Sequence, residues 1–106
     1  MQSTYNMLDY TISKRVLIDL EEIWVHSFEN WSLEQADRYY NLIISEIEYI
    51  CKPPYVGKSY SVIKEGYRAS KVKSHLIFYK LSSTKNIEVI RILHGRMDIE
   101  QRIINE

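Results

Sequence analysis

One cysteine in 106 residues, Cys51, leaves nothing for it to pair with, so no internal disulfide supports the fold. Proline is nearly as scarce: Pro53 and Pro54 sit side by side and there are no others. Gly57, Gly66 and Gly95 are the three glycines, too far apart to form a phosphate-cradling loop, which removes the usual nucleotide-binding motif. No apolar run approaches the ~18–20 residues that span a bilayer. The opening MQSTYNMLDYTIS lacks the charged-then-apolar pattern of a secretory signal. No pair among His26, His75, His94 and Cys51 has metal-ligand spacing, so neither a metal nor another cofactor is expected. Together these absences describe a cytoplasmic protein built as one domain over residues 1–106, too short for two cores.

What is present fits a globular chain. Hydrophobic residues make up 45% of it, enough for one core and too many for disorder. The net charge of zero hides an asymmetry. Residues 1–53 hold four basic and nine acidic side chains, a net of −5; residues 54–106 hold ten and five, a net of +5. Such a dipole steers an acidic partner toward the basic half, or the two halves pair with each other across the surface. Nine tyrosines and two tryptophans are a large aromatic complement for the length.

The periodicity changes once along the chain. A short strand is expected at Leu8 to Ile12, after which Ser13 caps a helix over Lys14 to Glu29. In that helix Val16/Leu17, Leu20, Ile23/Trp24 and Phe28 recur at three and four residues as one buried stripe, with Trp24 in the core and His26 at the surface or the boundary. Ser32 and Gln35 form a capping-box pattern that opens a second helix to about Cys51. Its stripe is Ala36, Tyr39/Tyr40, Ile43, Ile47 and Ile50/Cys51, and the two prolines stop it. So short a connection makes the pair a helical hairpin. Residues 55–65 read as a loop with at most a brief strand. Tyr67 to Lys73, His75 to Leu81 and the strand from Ile87 then form a three-stranded antiparallel meander joined by short turns. The expected architecture is α+β: one strand, a hairpin, then a meander with a short C-terminal helix.

The end of the meander is the most informative stretch. In NIEVIRILHGRMDIEQ, Ile87, Val89, Ile90, Ile92 and Leu93 put apolar side chains on both faces, as a strand covered on both sides requires. Gly95 turns the chain, and Asp98 with Gln101 caps a following helix. His94 and Arg96 are thereby presented at the end of a rigid strand, with Met97 as a packing plug beneath the last helix. Arg96 offers a planar five-donor fork to a partner, or ties the turn through Asp98 or Glu100; His94 contacts a partner or bonds backbone.

ILHGRMD, taken with DLEEIW (Asp19 to Trp24), EQADRYY (Glu34 to Tyr40), GYR (Gly66 to Arg68) and HLIFYK (His75 to Lys80), resembles the ParE branch of the ParE/RelE toxins of bacterial toxin–antitoxin modules. The matches fall in order from about Tyr10 to Ile103. The resemblance implies a toxin that binds DNA gyrase stoichiometrically and traps its broken-strand intermediate. It also implies a cognate ParD-like antitoxin that assembles with the toxin and neutralises it, with no sequence-specific DNA binding by the toxin alone. Arg68, Lys71, Lys73, His94 and Arg96 are the candidates for target contact. Trp31, Tyr39 and Tyr40, near the hairpin tip or its flank, are the candidates for the antitoxin groove, or else are ordinary core.

Two other readings remain open. The related RelE branch cleaves messenger RNA on the ribosome, which needs a proton acceptor, a proton donor and cations around the phosphorane. His94 or His75 would supply the proton transfer, and Arg68, Lys71 and Lys73 the charge. Yet no Tyr or His follows His94, and in a regular strand Arg68 faces away from Lys71 and Lys73. His75 reads better as a hydrogen-bonding residue at its strand's mouth, and no catalytic residue is assigned. The third reading is a nontoxic homologue that binds only an antitoxin.

Overall fold

The computed structural model describes residues 9–52, 54–83, 86–96 and 98–105. Leu8, Pro53 and Met97, and part of the connection from Ser82 to Lys85, lie outside the described residues. Eight elements follow in order: β1 (Tyr10–Ile12), α1 (Lys14–Asn30), α2 (Leu33–Ile50), β2 (Lys58–Ser59), β3 (Arg68–Val72), β4 (His75–Leu81), β5 (Ile87–His94) and α3 (Ile99–Ile104). They form the expected α+β arrangement. The meander is the middle of a five-stranded sheet ordered β1-β5-β4-β3-β2. β1 runs parallel to β5 at one edge, and the other pairs are antiparallel. Among the described residues no helix is long and apolar enough to cross a membrane.

Capping sets the helix starts. Ser13 Oγ accepts the Val16 amide at 3.2 Å, Ser32 Oγ the Gln35 amide at 3.1 Å, and Asp98 Oδ1 the Gln101 amide at 3.3 Å. Each satisfies an otherwise orphaned donor of a first turn. The α2 stripe packs as its spacing predicts, with Ala36, Ile43, Ile47, Ile50 and Cys51 buried. Burying each of those isoleucines contributes about 2 kcal/mol.

The α1 stripe does not pack as predicted. Val16 and Leu20 are buried, but Asp19 and Ser27 share the inward face with them, while Leu17 (51% exposed) and Phe28 (48%) point outward. Trp24 is half-buried rather than core: its ring stacks on Phe28 at 5.3 Å, and its Nε1 donates to Asp37 of α2 at 3.0 Å. The helix is apolar on two sides, so periodicity finds the helix but does not choose which side faces the sheet.

Two apolar clusters flank the sheet. On the hairpin side, Val16, Leu20, Ile43, Ile47 and Ile50 meet Ile77, Tyr79, Ile87, Val89 and Ile92. On the other side, α3 lays Ile103 and Ile99 against Phe78, Leu93, Ala69 and Tyr67. A bulge makes β5 serve both. Phe78 pairs with Arg91 and Tyr79 with Val89, so Ile90 is the extra residue. Ile87, Val89 and Ile92 then reach one cluster, and Ile90 and Leu93 the other. Without the extra residue Ile92 would face the wrong side.

Candidate functional site

A cleft of about 990 Å³ opens where the hairpin meets the ends of β4 and β5. One wall comes from α1 and α2, and the opposite wall from the β3–β4 turn and the last residues of β5; Arg96 and Arg102 complete the rim. All three histidines of the chain line it.

Asp19 fixes the α1 wall. Its carboxylate accepts from Arg91 twice, Nε to Oδ2 at 2.9 Å and Nη2 to Oδ1 at 3.1 Å. Oδ2 also accepts the Ile92 amide at 3.1 Å, and Arg15 Nε lies 3.5 Å from Oδ1. Asp19 is 4% exposed and Arg91 5%, so this bidentate pair lies inside the protein. The backbone bond has a topological cause. β1 pairs only with Ile87–Val89, so further along β5 the amides on that side have no strand partner. At Ile92 a helix carboxylate stands where a neighbouring strand's carbonyl would otherwise be.

Tyr39 fixes the α2 wall. Its hydroxyl donates to the Val72 carbonyl at 2.9 Å and lies 2.7 Å from His75 Nδ1. A phenol has a single proton, so the second contact is completed by His75 Nδ1–H as donor, leaving Nε2 bare. His94 carries the opposite tautomer. Its Nδ1 accepts the Arg96 amide at 3.0 Å, which puts its proton on Nε2. The two rings meet edge to face with centroids 5.2 Å apart. Desolvation, followed by the neighbouring His94 and then His26, lowers the His75 pKa from 6.5 to about 4. Burial likewise raises the Tyr39 phenol above its ordinary value.

The candidate residues distribute as follows. Lys73, His94 and Arg96 line the cleft, as do Trp31 and Tyr39. Lys73 joins them because it lies beyond β3 at φ 54, in a left-handed turn that takes it out of the strand's alternation. Lys71 pairs with Leu76 and shares the α3-side face with Ala69 and Phe78, away from the cleft. Arg68 is also elsewhere. Its Nη1 donates to the Gly57 and Tyr55 carbonyls at 2.7 and 3.2 Å, and the guanidinium lies over the Tyr55 ring at 5.2 Å. Tyr40 packs half-buried against the hairpin-side core. Trp31 is 76% exposed at the hairpin tip. The proposed tie of Arg96 to Asp98 or Glu100 does not form, whereas the backbone bond read for His94 does. His75 is the hydrogen-bonding strand-mouth residue its position suggests.

Sequence reasoning passed over Asp19, Arg91, Arg38 and Arg102. For the first two a signal was available: an acid inside the α1 apolar stripe and a lone cation inside the β5 apolar run, each costly to bury without the other.

Comparison with known proteins identifies the family. The family described as "ParE toxin of type II toxin-antitoxin system, parDE" matches residues 10–99. The chain belongs to the ParE toxin family. Toxin ParE1 of Caulobacter vibrioides is 35% identical over 92 residues, covering 87% of this chain and 94% of the relative. Toxin ParE1 of Mycobacterium tuberculosis is 32% identical over 94 residues, covering 89% and 96%. A solved structure described as the chromosomal ParDE TA system from P. aeruginosa superposes with a TM-score of 0.72 at 17% identity, covering 83% of this chain and 96% of that one. That likeness bears on the fold, and the ParE fold is the one described above.

Proposed function

We propose that this ParE toxin acts in the cytoplasm by stoichiometric docking on DNA gyrase and is neutralised by a ParD-like antitoxin. The observation that carries the docking reading is the state of His75 in the cleft. A general acid–base pair works best with pKa values near the operating pH. His75, at about 4, stays unprotonated at neutral pH and is a weak base. His94 Nδ1 is occupied by the Arg96 amide. His75 is therefore not tuned to donate a proton to a leaving oxygen. Trapping a cleaved gyrase complex asks for no such group; it needs only tighter binding to the cleaved state than to the resealed one, and a tenfold preference corresponds to about 1.4 kcal/mol.

The outer face of α1 is the surface we assign to the antitoxin. Leu17, Ile18, Val25 and Phe28 are exposed along it, beside the stacked Trp24. An amphipathic helix laid in that apolar stripe would bury them. Tyr39 and Tyr40 then serve from below, as packing that fixes α2.

Induced expression tests the proposal. A gyrase poison produces DNA breaks and filamentation with intact transcripts, and co-expressed antitoxin rescues growth. Cut messages with intact DNA would establish a ribonuclease instead, and unaffected growth a nontoxic homologue.

A further inference from the structure

The cleft holds more positive charge than the fold uses. Arg15 and Arg91 are engaged with Asp19. Arg38 of α2, Lys73 of the β3–β4 turn, Arg96 beyond β5 and Arg102 of α3 are all exposed, and no described carboxylate lies within ion-pair distance of any of them. Beside them, among the described residues, the cleft has one carboxylate outside an ion pair, Glu22. Four cations from four separate segments thus converge on one opening, although the chain as a whole is neutral.

We propose that this cleft binds the sugar–phosphate backbone of a single nucleic-acid strand without sequence preference, with Trp31 as the platform on which one base stacks. Three of the four cations are guanidiniums, whose planar fork matches phosphate oxygens. The two histidine tautomers add an N–H donor at His94 Nε2 and a bare acceptor at His75 Nε2. Sugar hydroxyls and base edges offer partners for both. Trp31 is 76% exposed on the same rim. An indole beside cations is the usual combination in grooves that track single strands. The cleft of about 990 Å³ is walled on two sides, by α1 and α2 and by the β3–β4 turn with the end of β5, as a groove that tracks one strand is. The apolar face of α1 is a separate surface, so strand and antitoxin need not compete for the same side chains. The biological setting, the opened DNA of a gyrase complex, rests on the docking reading above; the site itself does not.

The test is fluorescence anisotropy of a labelled mixed-sequence DNA strand of about ten nucleotides, titrated with the full chain at rising salt. Three or four phosphate contacts give a log–log salt slope of about −2 to −3. The double variant Arg96→Gln/Arg102→Gln should flatten that slope by about 1.4 and weaken binding. Trp31→Ala should weaken binding about tenfold with the slope unchanged. Lys52→Gln, at the far end of α2, should alter neither, and thermal melting monitors the fold of every variant. Absence of salt-dependent binding would overturn the site, as would parental affinity in the double variant or a duplex bound as tightly as the strand. A poly-glutamate peptide that displaces the strand at lower concentration would reassign the cleft to an acidic protein partner. Trapping of cleaved gyrase by a chain that ignores the oligonucleotide would remove this site and leave docking intact; the converse would remove docking and leave the site.

Discussion

Asp19→Ala tests how the hairpin is held to the sheet. The substitution deletes the acceptor of two Arg91 hydrogen bonds and of the Ile92 amide at 2.9–3.1 Å. Arg91 remains 95% out of solvent without its carboxylate. Breaking a buried pair by removing one partner costs about 3–5 kcal/mol, and an orphaned buried amide about 1–3 kcal/mol. These terms overlap, so the expected loss is about 4 kcal/mol. A domain of this size has about 5–15 kcal/mol in total. With a urea m-value near 1.5 kcal/mol/M, the midpoint should fall by about 2–3 M. Two companions separate charge from amide. Asp19→Asn keeps an oxygen for Ile92 and should lose less than the alanine variant. Asp19→Leu combined with Arg91→Met removes both charges and should cost less than Asp19→Ala alone. An Asp19→Ala midpoint within about 0.5 M of the parent, or a double variant as damaged as the single one, would refute this account of the pair.

Tyr79→Phe should cost about 1–3 kcal/mol in the same assay, because the buried hydroxyl accepts from the Gly57 amide at 3.0 Å and donates to the Pro54 carbonyl at 2.9 Å. Gly57→Ala should also destabilise, since its Cβ would stand 2.5 Å from that hydroxyl and 2.8 Å from the Ala69 carbonyl oxygen. For His75 the folded pKa of about 4 lies below the ordinary 6.5, so the unfolded chain binds the proton first; its contribution is complete above about pH 6.5 and is lost as pH falls toward 4. His75→Gln should therefore show a flatter stability–pH curve than the parent across that window, and NMR titration of His75 should place its midpoint near 4. Ser32→Ala should lower stability by about 1 kcal/mol through the lost Gln35 cap, read as a shift in thermal midpoint.

The readable part of this fold was its local chemistry. Ser13, Ser32 and Asp98 announce helix starts through a side-chain oxygen and the next turn's amides, an interaction of three residues that needs no tertiary information. The α2 stripe was equally legible because its other side carries glutamates and other polar groups. α1 was ambiguous because both sides carry large apolar residues, and the sheet, not the helix, decides between them. The bulge at Ile90 was hidden for a related reason: an unbroken apolar run carries no mark of where the alternation slips. Of the site, the terminal His94 and Arg96 could be found because a glycine turn follows an apolar strand. Arg38 and Arg102 could not, since an exposed arginine on a helix has the same local signature whether or not it borders a cleft.

The cleft itself follows from where the first strand stops. β1 ends at Ile12 opposite Val89, and Ser13 at once begins the helix that supplies Asp19. Had β1 continued along β5, a backbone carbonyl would take the Ile92 amide and a strand would cover the edge beside Leu93 and His94. Because the cap comes so early, a side chain makes that bond instead, and the edge beyond it remains as one wall of the cleft. The Asp19 carboxylate therefore does two things at once. It holds Arg91 inside the protein, and it keeps the strand end that carries His94 in register with the α1 wall. Asp19→Asn, which spares the amide bond but releases the guanidinium, should then disturb the tautomers of His75 and His94 less than it disturbs stability. Unchanged histidine NMR shifts in a chain that melts several degrees lower would separate the two roles; histidines displaced in proportion to the lost stability would mean that the ion pair, and not the backbone bond, shapes the cleft.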